Sequence, residues 1–319
     1  MLLDERVVVN ETQVKRVAQL VATTPDIALF PFTSPELPPV GHPATLDFFF
    51  VATLQQFSFW TVAQGRYDLP LIAPISGKRL KGSDYLWQAY LRPVADDPAF
   101  FSPARQAALT QKDMLTLFRA DDGTDPMPAL ELHLEQAQQY GQDMLALNLT
   151  PGDLVRQAQA SPLPLETFVR LLDHIGGYKE DPMRKKSMLL AQILKARPEA
   201  FFAFGPGEKI EPVLDYHHMR TCLRVGLVDV VDGELHKNLI DRRIVTPADE
   251  WAVRYASYRA LEQVIAHSGK GTGAQDWLWL NARKRCPEMT EPVCALCPVD
   301  PVCVHRTELF QPVLRTTLY

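Results

Sequence analysis

CPEMTEPVCALCPVDPVC, residues Cys286–Cys303, holds four of the five cysteines of a 319-residue chain. The spacing is Cys286-x7-Cys294-x2-Cys297-x5-Cys303. Thiols crowded this way in a cysteine-poor chain point to metal rather than to disulfides, provided the protein is kept reduced. The first residues, MLLDERVVVNETQVKRV, put charges where a secretory signal needs an apolar run, and no stretch approaches the roughly 18 apolar residues of a membrane span. A cytoplasmic protein with no membrane partner is therefore expected. Zinc sites usually bring two close cysteine pairs together, and only Cys294 and Cys297 form such a pair. Four separately spaced thiolates around one compact centre suit a 4Fe–4S cluster better, with zinc as the alternative. Pro287, Pro292, Pro298 and Pro301 stiffen the loop and limit the entropy lost when it closes.

Around this loop the chain reads as mainly α. A hydrophobic content of 46% allows a sizeable core, and 26 prolines predict many short helices with abrupt ends. Asn10 opens an Asn-x-x-Gln pattern that caps a first helix, with Val14, Val17, Ala18 and Val21 on one face. A proline-rich connector over residues 31–47 precedes DFFFVATLQQFSFW (Asp47–Trp60), apolar on nearly every side and so expected as a buried helix. PISGKRLKGS (Pro74–Ser83) reads as a loop, and DYLWQAYLRP (Asp84–Pro93) as an aromatic helix. Further helices are expected over 103–119, 128–147, 151–160, 164–175, 183–196, 213–225, 247–267 and 275–286. Strand signals are scarce, and VGLVDVVDG (Val225–Gly233) predicts one short hairpin. The formal net charge of −5 argues against a large basic face for duplex DNA without excluding a local basic groove.

The cysteine loop resembles the iron–sulfur loop of the helix-hairpin-helix (HhH-GPD) DNA glycosylases, the endonuclease III and adenine glycosylase type. That family uses spacers of six, two and five around a similar P-x-C-x-x-C-P core, with a helix leading in as DWLWLNARKRC does here. In this chain the first spacer is one residue longer. The family's loop presents basic residues to DNA, but here Glu288, Glu291 and Asp300 are acidic, and only the flanking Arg283, Lys284, Arg285, His305 and Arg306 could do so. Four cysteines saturate such a cluster, so it is expected as a structural staple.

Upstream, VLDYHHMRTCLRVGLV (Val213–Val228) resembles the same family's catalytic segment, V-D-T-H-x-x-R-V-x-x-R-L-G-L. Matched residue by residue, Asp215 falls on the essential aspartate, and His217, Arg220, Arg224, Gly226 and Leu227 fall on the pattern's His, Args, Gly and Leu. Tyr216 departs from the threonine. The chemistry explains the carboxylate: breaking an N-glycosidic bond builds positive charge on the sugar, which a fixed aspartate stabilises while it orients water. An aspartate at a helix start is equally at home as a plain N-cap. The lysine-bearing hairpin of the family's lyases has no counterpart here, which weakens the inference both of Schiff-base chemistry and of a hairpin grip on DNA phosphate.

Over most of the chain a second resemblance holds. FSFW (Phe57–Trp60), YLWQAYLRP, LFRADDG (Leu117–Gly123) and KKSMLLAQIL (Lys185–Leu194) are similar to the queuosine salvage proteins, which hydrolyse queuosine 5′-phosphate to release queuine. That match puts Asp215 and Tyr216 on the family's catalytic Asp-Tyr pair. Trp60 and Trp87 are candidates for a stacking wall against a flat base, with core packing as the alternative. Lys185 and Lys186 are candidates to meet a phosphate or to pair with Asp215.

Together the resemblances imply a mainly α, two-lobed helical DNA-glycosylase-like fold with a C-terminal iron–sulfur cluster loop. They divide the chain into an N-terminal helical region (1–130), a helical lobe (131–214) and a region carrying the aspartate helix and the cluster (215–319). The implied function is N-glycosidic hydrolysis, with Asp215, Lys185 and Lys186 catalytic and Trp60, Trp87, Tyr216, His217 and Arg220 binding substrate. Cys286, Cys294, Cys297 and Cys303 are the implied metal ligands. The substrate is expected to be a modified nucleotide or nucleoside, with DNA as the alternative partner. A non-catalytic iron–sulfur protein is the third expectation.

Overall fold

A computed structural model describes residues 4–25 and 30–319, so the first three residues of the charged N-terminal stretch lie outside it. The protein is mainly helical. In chain order the elements are β1 (Val7–Val9), α1 (Glu11–Ala22), α2 (Thr45–Leu54), β2 (Trp60–Ala63), β3 (Arg66–Pro70), β4 (Ile72–Ile75) and β5 (Lys78–Lys81). There follow α3 (Ser83–Asp96), α4 (Pro103–Ala107), α5 (Gln111–Phe118), α6 (Leu130–Ala146), α7 (Pro151–Gln159), α8 (Pro164–Leu172) and α9 (Lys185–Ala196). The last are α10 (Tyr216–Val225), β6 (Val228–Val230), α11 (Gly233–Ile240), α12 (Pro247–Ser268) and α13 (Gly273–Arg285). Among the described residues no helix is long and apolar enough to cross a membrane. Two compact units form, each from separated stretches: Met1–Leu29, Val62–Tyr67 and Glu211–Arg315 make one, and Phe30–Thr61, Asp68–Ile210 and Thr316–Tyr319 the other.

In the first unit α1 packs on α12, and α10 packs on α12 and α13. Asn10 caps α1 by accepting the Gln13 N–H, and Val14, Val17, Ala18 and Val21 are buried as the pattern predicts. The Gln13 side chain does not return to close a capping box. Its amide donates instead to the carbonyls of Val225 and Val302, tying α1 to the end of α10 and to the cysteine loop. The expected hairpin within Val225–Gly233 does not form. Only Val228–Val230 is extended, and it pairs antiparallel with Val7–Val9 from the far end of the chain. Asp232 accepts the Leu235 N–H and starts α11 at Gly233, which leaves no residues for a second local strand.

In the second unit α2 is the hub, packing on α3, α6, α7 and α9. Phe48, Phe49, Phe50, Val51 and Leu54 are fully buried, as a helix apolar on every side requires. It ends at Leu54 and not at Trp60. Ser58 takes a φ of +57°, outside helical space, and Trp60 opens β2. Residues 103–119 form two helices, because Thr110 and Asp113 close a capping box that starts α5. Pro74–Ser83 is a hairpin rather than a loop, β4 pairing with β5. Ser76 and Gly77 both have positive φ, the geometry of a type I′ turn.

One buried contact in this unit has a pH consequence. His133 Nδ1 donates to Gln55 Oε1 at 2.7 Å, the ring stacks on Phe57 at 4.2 Å, and Nε2 is buried without a hydrogen-bond partner. Burial, and next the nearby Lys186, push its pKa down to about 3. Below the ordinary histidine pKa of 6.5 the unfolded chain binds a proton that the native ring refuses, so stability falls as pH drops toward 3. This residue alone should lower unfolding free energy by about 1 kcal/mol per pH unit across that window. Urea unfolding from pH 7 to pH 4 should show a shallower decline for His133→Asn than for wild type. Equal slopes would mean that the buried ring is protonated.

Candidate metal centre and the Asp215 helix

Asp215 is the N-cap of α10. Its Oδ1 accepts the His218 backbone N–H at 3.0 Å and lies 2.9 Å from His218 Nδ1. Oδ2 accepts the Trp279 indole N–H at 2.9 Å. The same ring nitrogen accepts the Asp215 backbone N–H at 3.3 Å, so the two residues close a capping box. Both oxygens are thus held, yet 18% of the side chain remains accessible. The positive end of the helix dipole adds to the donors in favouring an ionised carboxylate. Arg283 sits over the Trp279 ring at 5.1 Å, and Tyr216 is buried beside His217. Burial and then the nearby Glu288 and Asp215 carboxylates raise the Tyr216 pKa, so its hydroxyl stays protonated.

The other matched residues of α10 turn inward. Arg220 is buried, and its Nη1 lies 3.7 Å from Glu288 Oε1. It donates to the Cys286 carbonyl at 3.2 Å, to Gln311 Oε1 at 2.8 Å and to His217 Nδ1 at 2.9 Å. Arg220 is the donor and His217 Nδ1 the acceptor, and the same nitrogen lies 3.8 Å from Glu288 Oε1. One turn on, Arg224 donates to the Leu309 carbonyl at 2.8 Å and to Cys286 Sγ at 3.1 Å. Gly226 ends the helix at φ +84°, where a Cβ would stand 2.6 Å from Val304 Cγ2. That close approach lets Val304 and Arg306 donate to the carbonyls of Val225 and Arg224.

Cys286, Cys294, Cys297 and Cys303 line one cavity of about 40 Å³, together with Arg224, Asp300 and His305. Ligand atoms of Cys294, Asp300 and His305 all lie within 4.8 Å of one another, a possible metal site. The chemistry of the donors fits a cation. Burial raises the pKa of Cys294 and Cys297, and it pushes Cys303 up to about 11, with neighbouring thiols adding to each shift. Such thiols keep their protons until a metal replaces them. Two N–H groups already point at sulfur: Arg224 at Cys286, and the His305 backbone at Cys303 at 3.3 Å.

The remaining expected site residues belong to the second unit. Lys185 and Lys186 are buried at the start of α9; Lys185 Nζ donates to the Gln56 carbonyl at 3.1 Å, and Lys186 Nζ lies 4.8 Å from the Phe57 ring centre. Trp60 is buried, and the half-buried Trp87 packs one side on Phe48 and Phe49 at 5.8 and 5.9 Å. Sequence reasoning missed His218, Trp279 and Gln311, and took Glu288 only as one of the acidic residues of the cysteine loop. The signal available for Trp279 was its place about two turns before the loop in a helix already expected to lead into it. No protein-family model matches this chain, and no curated protein matches it.

If Arg220 is an internal staple, its loss is a stability effect. Arg220→Met takes the guanidinium away from the buried Glu288 carboxylate, which should cost about 3–5 kcal/mol of unfolding free energy. Adding Glu288→Leu should recover a large part of that loss in a double-mutant cycle. An Arg220→Met protein as stable as wild type would show that the guanidinium is not committed to the loop.

Proposed function

We propose that the protein hydrolyses the N-glycosidic bond between a modified nucleobase and its sugar, with Asp215 as the catalytic carboxylate. One observation carries this reading: a carboxylate fixed on both oxygens at a helix N-terminus, and still reachable. The accessible 18% of the Asp215 side chain gives a water or the charged sugar an approach to the carboxylate. Because His218 and Trp279 hold it before substrate arrives, little reorganisation is needed as positive charge develops. The favoured substrate is a queuosine-type nucleotide or nucleoside. The similarity of the N-terminal half to queuosine salvage proteins supports this, as does the burial of Arg220 in an internal ion pair rather than toward a DNA backbone.

Excision of a base from DNA is the second reading. It is favoured by the basic last turn of α13, Arg283, Lys284 and Arg285, with Arg283 on the ring that holds Asp215. Salt separates the two, since DNA affinity built on phosphate contacts falls steeply as salt rises.

In this proposal a 4Fe–4S cluster on Cys286, Cys294, Cys297 and Cys303 supplies rigidity to the loop and takes no part in bond cleavage. Anaerobically purified protein should be brown, with about four irons per chain. Cys294→Ser and Cys297→Ser should each lose metal and stability. Colourless wild type holding a single zinc would overturn the cluster.

Asp215→Asn keeps the size and an amide oxygen for the cap while removing the charge. Release of base from a panel of modified nucleosides and nucleotides should fall roughly a hundredfold or more, with folding and metal content unchanged. Hydrolysis without a lysine nucleophile should leave no borohydride-trappable adduct. Turnover by Asp215→Asn close to wild type would end the proposed mechanism for either substrate.

A further inference from the structure

The cysteine cavity carries two donors more than a four-cysteine centre uses, Asp300 and His305. We propose that His305 is a metal ligand there: with Cys294 it binds a borderline divalent cation, zinc in the first instance, while Asp300 orients the imidazole. The inference concerns this cavity alone and does not rest on the hydrolytic reading.

Three observations meet on His305. Its Nε2 lies 2.7 Å from Asp300 Oδ1, the carboxylate–imidazole pairing that fixes the tautomer of metal-bound histidines. With Nε2–H donating to the Asp300 carboxylate, the lone pair resides on Nδ1. The ligand atoms of His305, Asp300 and Cys294 are within 4.8 Å of each other, whereas a tetrahedral zinc site needs about 3.5 Å, so small side-chain adjustments suffice. The imidazole also sits on fixed backbone. Val304 before it and Arg306 after it both donate to the last carbonyls of α10, and His305 itself is held at a φ of +59°.

The donor set decides the cation. Thiolate and imidazole together suit zinc, whereas a cubane cluster closed by four cysteines leaves the imidazole on Asp300. The loop therefore has two ways to be filled: iron–sulfur by four thiols, or a single zinc by a mixed cysteine–histidine set. Nearly half of the His305 side chain is exposed, so an ion can reach it without opening the core.

The test uses the full chain produced in iron-depleted, zinc-supplemented medium, so that it folds around zinc. X-ray absorption at the zinc edge should show a nitrogen shell at about 2.0 Å with the outer-shell pattern of imidazole, beside sulfur at about 2.3 Å. His305→Ala should lose that pattern and bind zinc at least about tenfold more weakly in chelator competition, and Asp300→Asn should keep the pattern while weakening binding. A sulfur-only shell in the wild type overturns the proposal, whether or not His305→Ala folds. Iron-grown protein separates this from the cluster reading. There His305→Ala should leave iron content unchanged, while a wild type without iron counts against the cluster and not against His305.

Discussion

The first unit depends on two guanidinium groups, one helical turn apart, buried on the inner face of α10. Arg220 and Arg224 cannot sit in a dry interior unless every donor is matched and the charge answered. The matching groups come from the loop that follows α13: the Cys286 and Leu309 carbonyls, Gln311 Oε1, the Glu288 carboxylate and Cys286 Sγ. None of these is local in sequence. The helix and the cysteine loop must therefore order together, and Gly226 permits it by giving Val304 room at the helix end.

This arrangement changes how the acidic character of the loop is understood. Glu288 is not a surface charge that would repel a polyanion; it is 2% exposed and faces Arg220. Glu291 and Asp300 are the loop acids left outside that pair, and Asp300 is engaged with His305. One of the loop's three acids is thus spent inside the protein, so their number alone is poor evidence about a partner.

Patterns with a local cause were legible in the sequence. The Asn10 cap, the buried face of α1, the all-round apolar α2 and most helix starts at proline or threonine follow from interactions within a few residues. Asp215 as a helix start was legible for the same reason. Long-range partners were not. The pairing of Val7–Val9 with Val228–Val230, the Trp279 bond to Asp215 and the Glu288–Arg220 contact each join residues more than sixty positions apart, and periodicity carries no signal for them. Trp87 shows the converse limit: an aromatic on a helix reads alike whether it lines a pocket or packs on Phe48 and Phe49.

The two ends of α10 divide the labour. Asp215 stands at the N-terminus, where helix dipole and free N–H groups favour a carboxylate. The thiols gather by the C-terminus, where the dipole disfavours negative charge and Arg224 offsets it at Cys286 Sγ, with Cys303 Sγ 3.7 Å from the Arg224 carbonyl. Nine residues of helix rise, about 13 Å, lie between Asp215 and Arg224. A metal held by these thiols is thus linked to the carboxylate through two helices, α10, whose last turn meets the thiols, and α13, which carries Trp279 and ends at Cys286. Its influence is mechanical, setting how firmly α10 is held, because Arg220 and Arg224 transmit any loosening of the loop directly to that helix.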